Sequence, residues 1–387
     1  MLQHRLERLE VGMNVRHDRD SHGATIGAAT LHLRNGPPGA RPYNRAVLVS
    51  EIGEFGLIQL LAREFGVEYP PARGASQPGL QIGLGDDAVV TDRRDASVIW
   101  TTDTMVEDVH FLPGKASWPD VGWKALATNL SDIAAMGGTP HLALVTLCLP
   151  SAFEVEDAVA LYRGLHECAE SFGVTLGGGD IVSAPFFAIT IALSGWAEEA
   201  SDGSAAILSR GAALSGDVVA VSGSLGDAVA GVLLARDGSE FRSKAEQHLR
   251  SAEQRPQPRV SLGLEAVRAG LHCGIDVSDG LVQDLGHVAK ASGVGVRVDA
   301  ARVPTSDALR EVFPSEALGL ALSGGGEYEL LLIGPRDLVE ALIDSSLTPL
   351  TEIGEVYESE SPHVGVVDET GREVPLARGG WDHFKPS

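Results

Sequence analysis

Residues 142–193 read LALVTLCLPSAFEVEDAVALYRGLHECAESFGVTLGGGDIVSAPFFAITIAL, and this stretch decides the fold class. The opening segment, 142–149, is a short apolar run broken only by Thr146, which predicts a buried strand. Over 153–172 the apolar residues Val155, Ala158, Val159, Tyr162, Leu165, Ala169 and Phe172 trace one helical face. A second strand follows over 186–193. Toward the N-terminus, 98–102 reads as a strand and 55–62 as a helix, with regular structure starting near Leu48. Toward the C-terminus, strands are expected at 218–221, 294–298 and 328–333. Helices are expected at 225–234, 259–269, 279–291 and 338–343. Strands and helices alternate in both halves, so the class is α/β or α+β with mixed sheets. Periodicity does not give strand order.

The chain of 387 residues is long for one ordinary core and fits two domains plus an extension. The polar, small-residue stretch 197–206 marks the boundary, giving domains over 49–200 and 201–387. Residues 1–48 differ from the rest: they hold Arg but no Lys, scattered His4, His17, His22 and His32, and no sustained period. They are expected to form a poorly ordered tail, and Glu7, Glu10, Asp18 and Asp20 argue against a transit peptide. No secretory signal and no long uncharged apolar run is present, so no membrane partner is expected. Cys148, Cys168 and Cys273 lack metal-ligand spacing and read as buried thiols of a reducing compartment, which implies the cytoplasm. With 53 acidic against 30 basic residues and a net charge of −23, nucleic acid is a poor partner. Polyanions can bind only where metal ions stand between carboxylates and phosphates.

Standard nucleotide motifs fail. Gly114-Lys115 lacks both the earlier glycine and the following hydroxyl of a P-loop. The run Gly83-Leu84-Gly85-Asp86-Asp87-Ala88 imitates a dinucleotide fingerprint, but a strand and turn follow it instead of a helix. What recurs is aspartate flanked by small or hydroxyl residues. The cases are Gly85-Asp86-Asp87, Thr101-Thr102-Asp103, Asn129-Leu130-Ser131-Asp132, Gly177-Gly178-Gly179-Asp180 and Asp276-Val277-Ser278-Asp279-Gly280. Each alone is an ordinary turn or cap. Together they suit magnesium, which takes hard oxygen ligands and shares them with phosphate.

Several stretches give a specific resemblance: Gly53-Glu54-Phe55-Gly56-Leu57-Ile58, residues 83–88, Thr101-Thr102-Asp103-Thr104, Val109-His110-Phe111 and residues 123–137. Ser209-Arg210-Gly211-Ala212, residues 276–281, Ser323-Gly324-Gly325 and Gly380-Trp381-Asp382-His383-Phe384 continue it. The chain resembles the thiamine-monophosphate kinase family, of the aminoimidazole ribonucleotide synthetase superfamily, from about residue 51 to residue 384. The resemblance implies a two-domain architecture, a homodimer pairing through its N-terminal sheets, and ATP and several magnesium ions between the domains. Magnesium ligands would be Asp87, Thr101, Thr102, Asp103, Asp132, Asp180, Asp276 and Asp279. ATP would meet Tyr162, Gly179, Asp180, Arg210 and Ser278, and thiamine monophosphate would meet His110 and Trp381. No general base is implied; Asp103, Arg210 and Asp276 would support the transfer.

One departure concerns the substrate. The family pattern after Ser-Gly-Gly is Glu-Asp-Tyr-Glu, whereas this chain has Gly326-Glu327-Tyr328-Glu329, so a substrate-binding carboxylate has become glycine. Glu327 is the neighbour that could take its place. Ile181-Val182 also replace the usual hydroxyl residues after Asp180, and Asp108 stands where glycine is common. Other readings are a different ATP-dependent enzyme of the superfamily, or a non-catalytic paralogue that binds nucleotide or thiamine phosphate. No Cys precedes Cys148, as a selenophosphate synthetase would need, and the sequence ends in Lys385-Pro386-Ser387, not the terminal cysteine of a hydrogenase-maturation relative.

Overall fold

The computed structural model describes residues 47–65, 80–82, 90–91, 97–238 and 240–374. In the N-terminal half these form α1 (Val49–Glu64), β1 (Leu80–Ile82), β2 (Val90–Thr91), β3 (Val98–Val106), α2 (Trp118–Ala135) and β4 (Thr139–Leu149). After them come α3 (Val155–Phe172), β5 (Thr175–Ser183), β6 (Ala188–Trp196), β7 (Glu198–Glu199) and β8 (Ala205–Ala206). The C-terminal half holds β9 (Val218–Ser222), α4 (Asp227–Arg236), α5 (Lys244–Gln254), α6 (Val260–Arg268), β10 (Cys273–Asp276), α7 (Leu281–Ser292) and β11 (Val294–Asp299). It closes with α8 (Asp307–Val312), α9 (Ala317–Ser323), β12 (Leu330–Gly334), α10 (Arg336–Ser345), β13 (Leu350–Glu358) and β14 (His363–Val367). Both main sheets are mixed. The first runs β3-β6-β4-β5, with only β4 and β5 parallel; the second runs β10-β12-β9-β13-β11-β14, with only β11 and β14 parallel.

Helix α2 is the pivot of the molecule. Ser117 caps it, accepting from the Asp120 N–H, and Pro119 occupies the first turn, where its missing N–H costs nothing. The helix is buried on nearly every side, between β3 and β6 on one face and α3, α6 and β10 on others. Contact with α3 is close because both helices carry glycine at the crossing. A Cβ on Gly122 would lie 2.0 Å from the Leu161 carbonyl oxygen, and one on Gly164 would lie 1.8 Å from that of Pro119. Either substitution would force the helices apart.

Some boundaries differ from expectation for backbone reasons. The helix expected from 279 starts at Leu281, since Gly280 has φ +122°, and the strand expected from 328 starts at Leu330, since Tyr328 has φ +55°. The glycine-rich run 175–183 is strand β5, whose weak apolar content hid it. Stretch 197–206 forms the small hairpin of β7 and β8. One apolar cluster extends across it, joining Leu130, Ala134 and Val145 to Leu208, Ala220, Val260 and Leu330. A second cluster fills the other side of the large sheet with Val219, Val221, Leu281, Leu285, Val296 and Ile353.

Candidate active site

Helix α2 brings the two sheets to one point. Near its C-terminal end, Asn129 and Asp132 are three residues apart and share a face toward β3. Asn129 Oδ1 accepts the Asp103 N–H at 3.1 Å, and the Thr101 hydroxyl donates to Asp132 Oδ2. The adjacent residue, Ser131, turns toward the other sheet, and its hydroxyl donates to Asp276 Oδ2 at 2.7 Å. Asp103 on β3, Asp132 on α2 and Asp276 at the end of β10 are thereby gathered from three distant parts of the sequence.

The loop after β10 adds Ser278 and Asp279. Asp284, one turn into α7, holds that loop: its Oδ2 accepts the N–H groups of Ser278, Asp279 and Gly280 at 3.0, 3.0 and 3.1 Å. The ligand-capable atoms of Asp279, Asp284 and His287 all lie within 4.8 Å of one another. Asp284 is nevertheless committed to the loop backbone.

Crowding of carboxylates sets the electrostatics. Asp276 is buried and its pKa is pushed up to about 7, first by loss of water and then by Asp132, with Arg210 pulling weakly the other way. Asp103 also rises to about 7, from burial and from Asp132 and Asp276. Asp103 lines the cavity and is exposed there. Asp132 is raised by burial, against relief from Thr101 and Arg210. Among the described residues none of these three carboxylates has an ion-pair partner, and Arg210 is exposed. Such a group of hard oxygens, short of positive charge, is a donor set that fits a divalent cation of the magnesium type.

The carboxylates open into a cavity of about 470 Å³. Asp103, His110, Asp132, Asp276, Ser278 and Asp279 line it, so these expected site residues are brought together. His110 is held by its ring, whose Nδ1 accepts the Val106 N–H at 3.0 Å. Farther out the wall is apolar, with Val109, Leu112, Val229 and Leu233, and Lys115 and Arg236 stand in it. Gly326 also lines the cavity, at φ +83°.

Other expected site residues lie elsewhere. Thr102 is exposed on the opposite pleat of β3 from Thr101 and Asp103. Tyr162 packs on α3 against Phe65, with ring centroids 6.2 Å apart, and its burial pushes its pKa up to about 12. It does not line the cavity. Gly179 and Asp180 sit on β5, and the register Thr104–Thr190–Thr146–Asp180 runs across all four strands. At about 4.8 Å per strand, Asp180 is roughly 14 Å from β3 and outside the cluster. Glu327, expected as a possible substrate contact, is engaged with backbone N–H groups. Its Oε1 accepts the N–H groups of Gly226 and Ala228 at 3.0 and 3.1 Å, so it caps α4. Asp87 and Trp381 lie outside the described residues.

Sequence reasoning quoted Asn129 and Ser131 only as neighbours of Asp132 and gave no role to Asp284 or Tyr328. An acidic residue in the first turn of α7 was a legible capping signal; for Tyr328 the signal was the tyrosine that matches the family pattern at residues 326–329. Asp108 has φ +61°, which explains why glycine is suited to that position.

Family models for the AIR synthase related protein match the chain twice, the N-terminal domain over residues 85–197 and the C-terminal domain over 215–367. The thiamine-monophosphate kinase of Bacillus subtilis (strain 168) is 36% identical over 317 residues, which covers 79% of this chain and 94% of that protein. A crystal structure of thiamine-monophosphate kinase from Stenotrophomonas maltophilia K279a aligns with TM-score 0.69 at 35% identity, covering 81% of this chain and 96% of the other. The structure of AaThiL complexed with AMPPCP and TMP aligns with TM-score 0.67 at 31% identity, covering 87% of this chain and 99% of the other. With matches of this extent across both halves, the chain belongs to the thiamine-monophosphate kinase family.

Proposed function

We propose that this chain transfers the γ-phosphoryl group of ATP to the phosphate of thiamine monophosphate, giving thiamine diphosphate and ADP. The observation that carries the reading is the meeting of Asp103, Asp132 and Asp276 in one cavity with no ion-pair partner among the described residues. Asp103, Asp132, Asp276 and Asp279 would hold magnesium ions, with Thr101 positioning Asp132. Bound magnesium would neutralise phosphate oxygens and align donor and acceptor.

The chain's own residues do the rest. A phosphate monoester has a second pKa of about 6, so the acceptor is already largely ionised and needs no general base. Arg210, whose charge reaches Asp132 and Asp276, supplies a fixed cation for the phosphate oxygens. Asn129, Ser131 and Asp284 fix the carboxylates and the loop before substrate arrives, so little reorganisation remains at transfer. The apolar outer wall and His110 would take the thiamine rings.

A homodimer completes the reading. The face of the first sheet away from α2 exposes Trp100 at 65% and Val182 at 41%, with Thr102 and Asp180 also open. A second copy would cover that face, and Asp180 would serve the paired assembly instead of its own cluster. Magnesium as the metal, the domains 49–200 and 201–387, and a cytoplasmic location belong to the same proposal. No helix among the described residues is long and apolar enough to cross a membrane. The test is incubation with ATP, magnesium and a panel of monophosphates. Thiamine diphosphate should form; product from another acceptor alone would redirect the assignment.

A further inference from the structure

Three non-glycine residues among those described have positive φ: Asp108, Phe241 and Tyr328. Two of them, Asp108 and Tyr328, line the same cavity. Such backbone is strained and persists only where surrounding bonds enforce it. Around Tyr328 that enforcement is explicit. The Tyr328 N–H donates to the Val277 carbonyl at 2.9 Å, the Val277 N–H to that of Glu329 at 2.8 Å, and the Gly326 N–H to that of Ser278 at 2.7 Å. The segment is therefore fastened to the loop that carries Asp276, Ser278 and Asp279.

Its neighbours are committed elsewhere. Glu327 caps α4, and Glu329 is gripped by Arg259, whose Nε donates to Oε2 at 2.7 Å. Only Tyr328 is turned into the cavity, beside Asp103, Asp132, Asp276 and Asp279. Its hydroxyl has no hydrogen-bond partner among the described residues, although the ring is largely enclosed. A phenol in that position is a neutral donor amid acceptors. It suits an anion that the carboxylates themselves would repel unless a cation stood between.

We infer that Tyr328 is a further substrate-contacting residue, its hydroxyl donating a hydrogen bond to a phosphoryl oxygen bound at the aspartate cluster. The inference rests on the kinase reading for the identity of the acceptor, but not for the presence of a nucleotide. The ring that lines the cavity is carried on this left-handed backbone, at φ +55°. Tyr328→Phe keeps the ring and removes the donor.

Two assays on the full chain separate this claim from the kinase reading. One follows thiamine diphosphate formation from magnesium-ATP and thiamine monophosphate; the other follows ADP release from magnesium-ATP alone. Tyr328→Phe should lower kcat about 10- to 100-fold, as expected for one lost donor to a charged group. KM should move less than about threefold and the melting temperature should not change. If the wild type forms no thiamine diphosphate, the kinase reading fails and ADP release decides the role of Tyr328. Rates within twofold of wild type in both assays would overturn the inference. So would a fall in melting temperature that accounts for the lost activity, because a purely structural ring contact would give that result.

Discussion

Replacing Asp276 with Asn should make the metal-free protein more stable while disabling it. Asn has the same shape, its carbonyl can still accept from Ser131, and its amide can donate toward Asp132. In the fold Asp276 has a pKa of about 7 against an ordinary value of 3.8. A folded pKa above the unfolded one means that the fold favours the protonated form. The associated stability is fully present below pH 3.8 and is lost as pH rises through 7. At pH 8 the ionised group therefore costs the metal-free fold up to roughly 4 kcal/mol. Asn carries no such cost. At about 2 °C per kcal/mol, the variant should melt roughly 5–10 °C above wild type in EDTA at pH 8. The gap should narrow at pH 6. Magnesium should raise the melting temperature of wild type more than that of the variant, and kcat should fall on the order of 10²–10³. A variant that melts below wild type in EDTA at pH 8, with no dependence on pH, would refute the reasoning that crowded carboxylates await a cation.

Gly326→Glu restores the family's acidic residue at a position with open space, the nearest atom to a new Cβ being that of Ala228 at 3.9 Å. It should lower KM for thiamine monophosphate about 10- to 100-fold and leave KM for ATP nearly unchanged. At φ +83° it should also cost roughly 1–2 kcal/mol of stability, readable by urea titration. Glu327→Ala leaves the buried N–H groups of Gly226 and Ala228 without their acceptor and should destabilise by about 1–3 kcal/mol. Glu327→Gln should lose less. It should also abolish the decline in stability as pH rises through the Glu327 pKa, which burial pushes up to about 8. A chain starting at Ala46 should keep wild-type melting temperature and activity. One starting at Val49 should melt lower, because the Val47 carbonyl accepts from Val155 and Leu48 bridges Glu154.

The alternation of strands and helices was legible wherever apolar residues kept a period. Strand β4 and helix α3 were placed to within three residues at either end, because each buries a single clear face. Helix α2 is different. It is wrapped by protein on all sides, so its sequence has no polar face for periodicity to detect. Strand β5 is dominated by Gly177, Gly178 and Gly179, which read as a turn although the pairing with β4 extends through them. At the site, the aspartates were recognisable because small and hydroxyl neighbours accompany them. Their division into a cluster and an outlier was not. The placement of Asp180 depends on strand order, and that of Glu327 on the open N-terminus of α4. Neither property is encoded within a local window. Tyr328 was legible as a match to the family pattern, but its left-handed backbone, held by bonds to residues 277 and 278, was not.

The most direct test of the account follows the label of [γ-³²P]ATP in the presence of magnesium and thiamine monophosphate. The account predicts label in thiamine diphosphate, none when EDTA removes the metal, and a loss on the order of 10²–10³ in the Asp103→Asn protein. Label appearing only as inorganic phosphate, or equal transfer by wild type and Asp103→Asn at saturating magnesium, would contradict it.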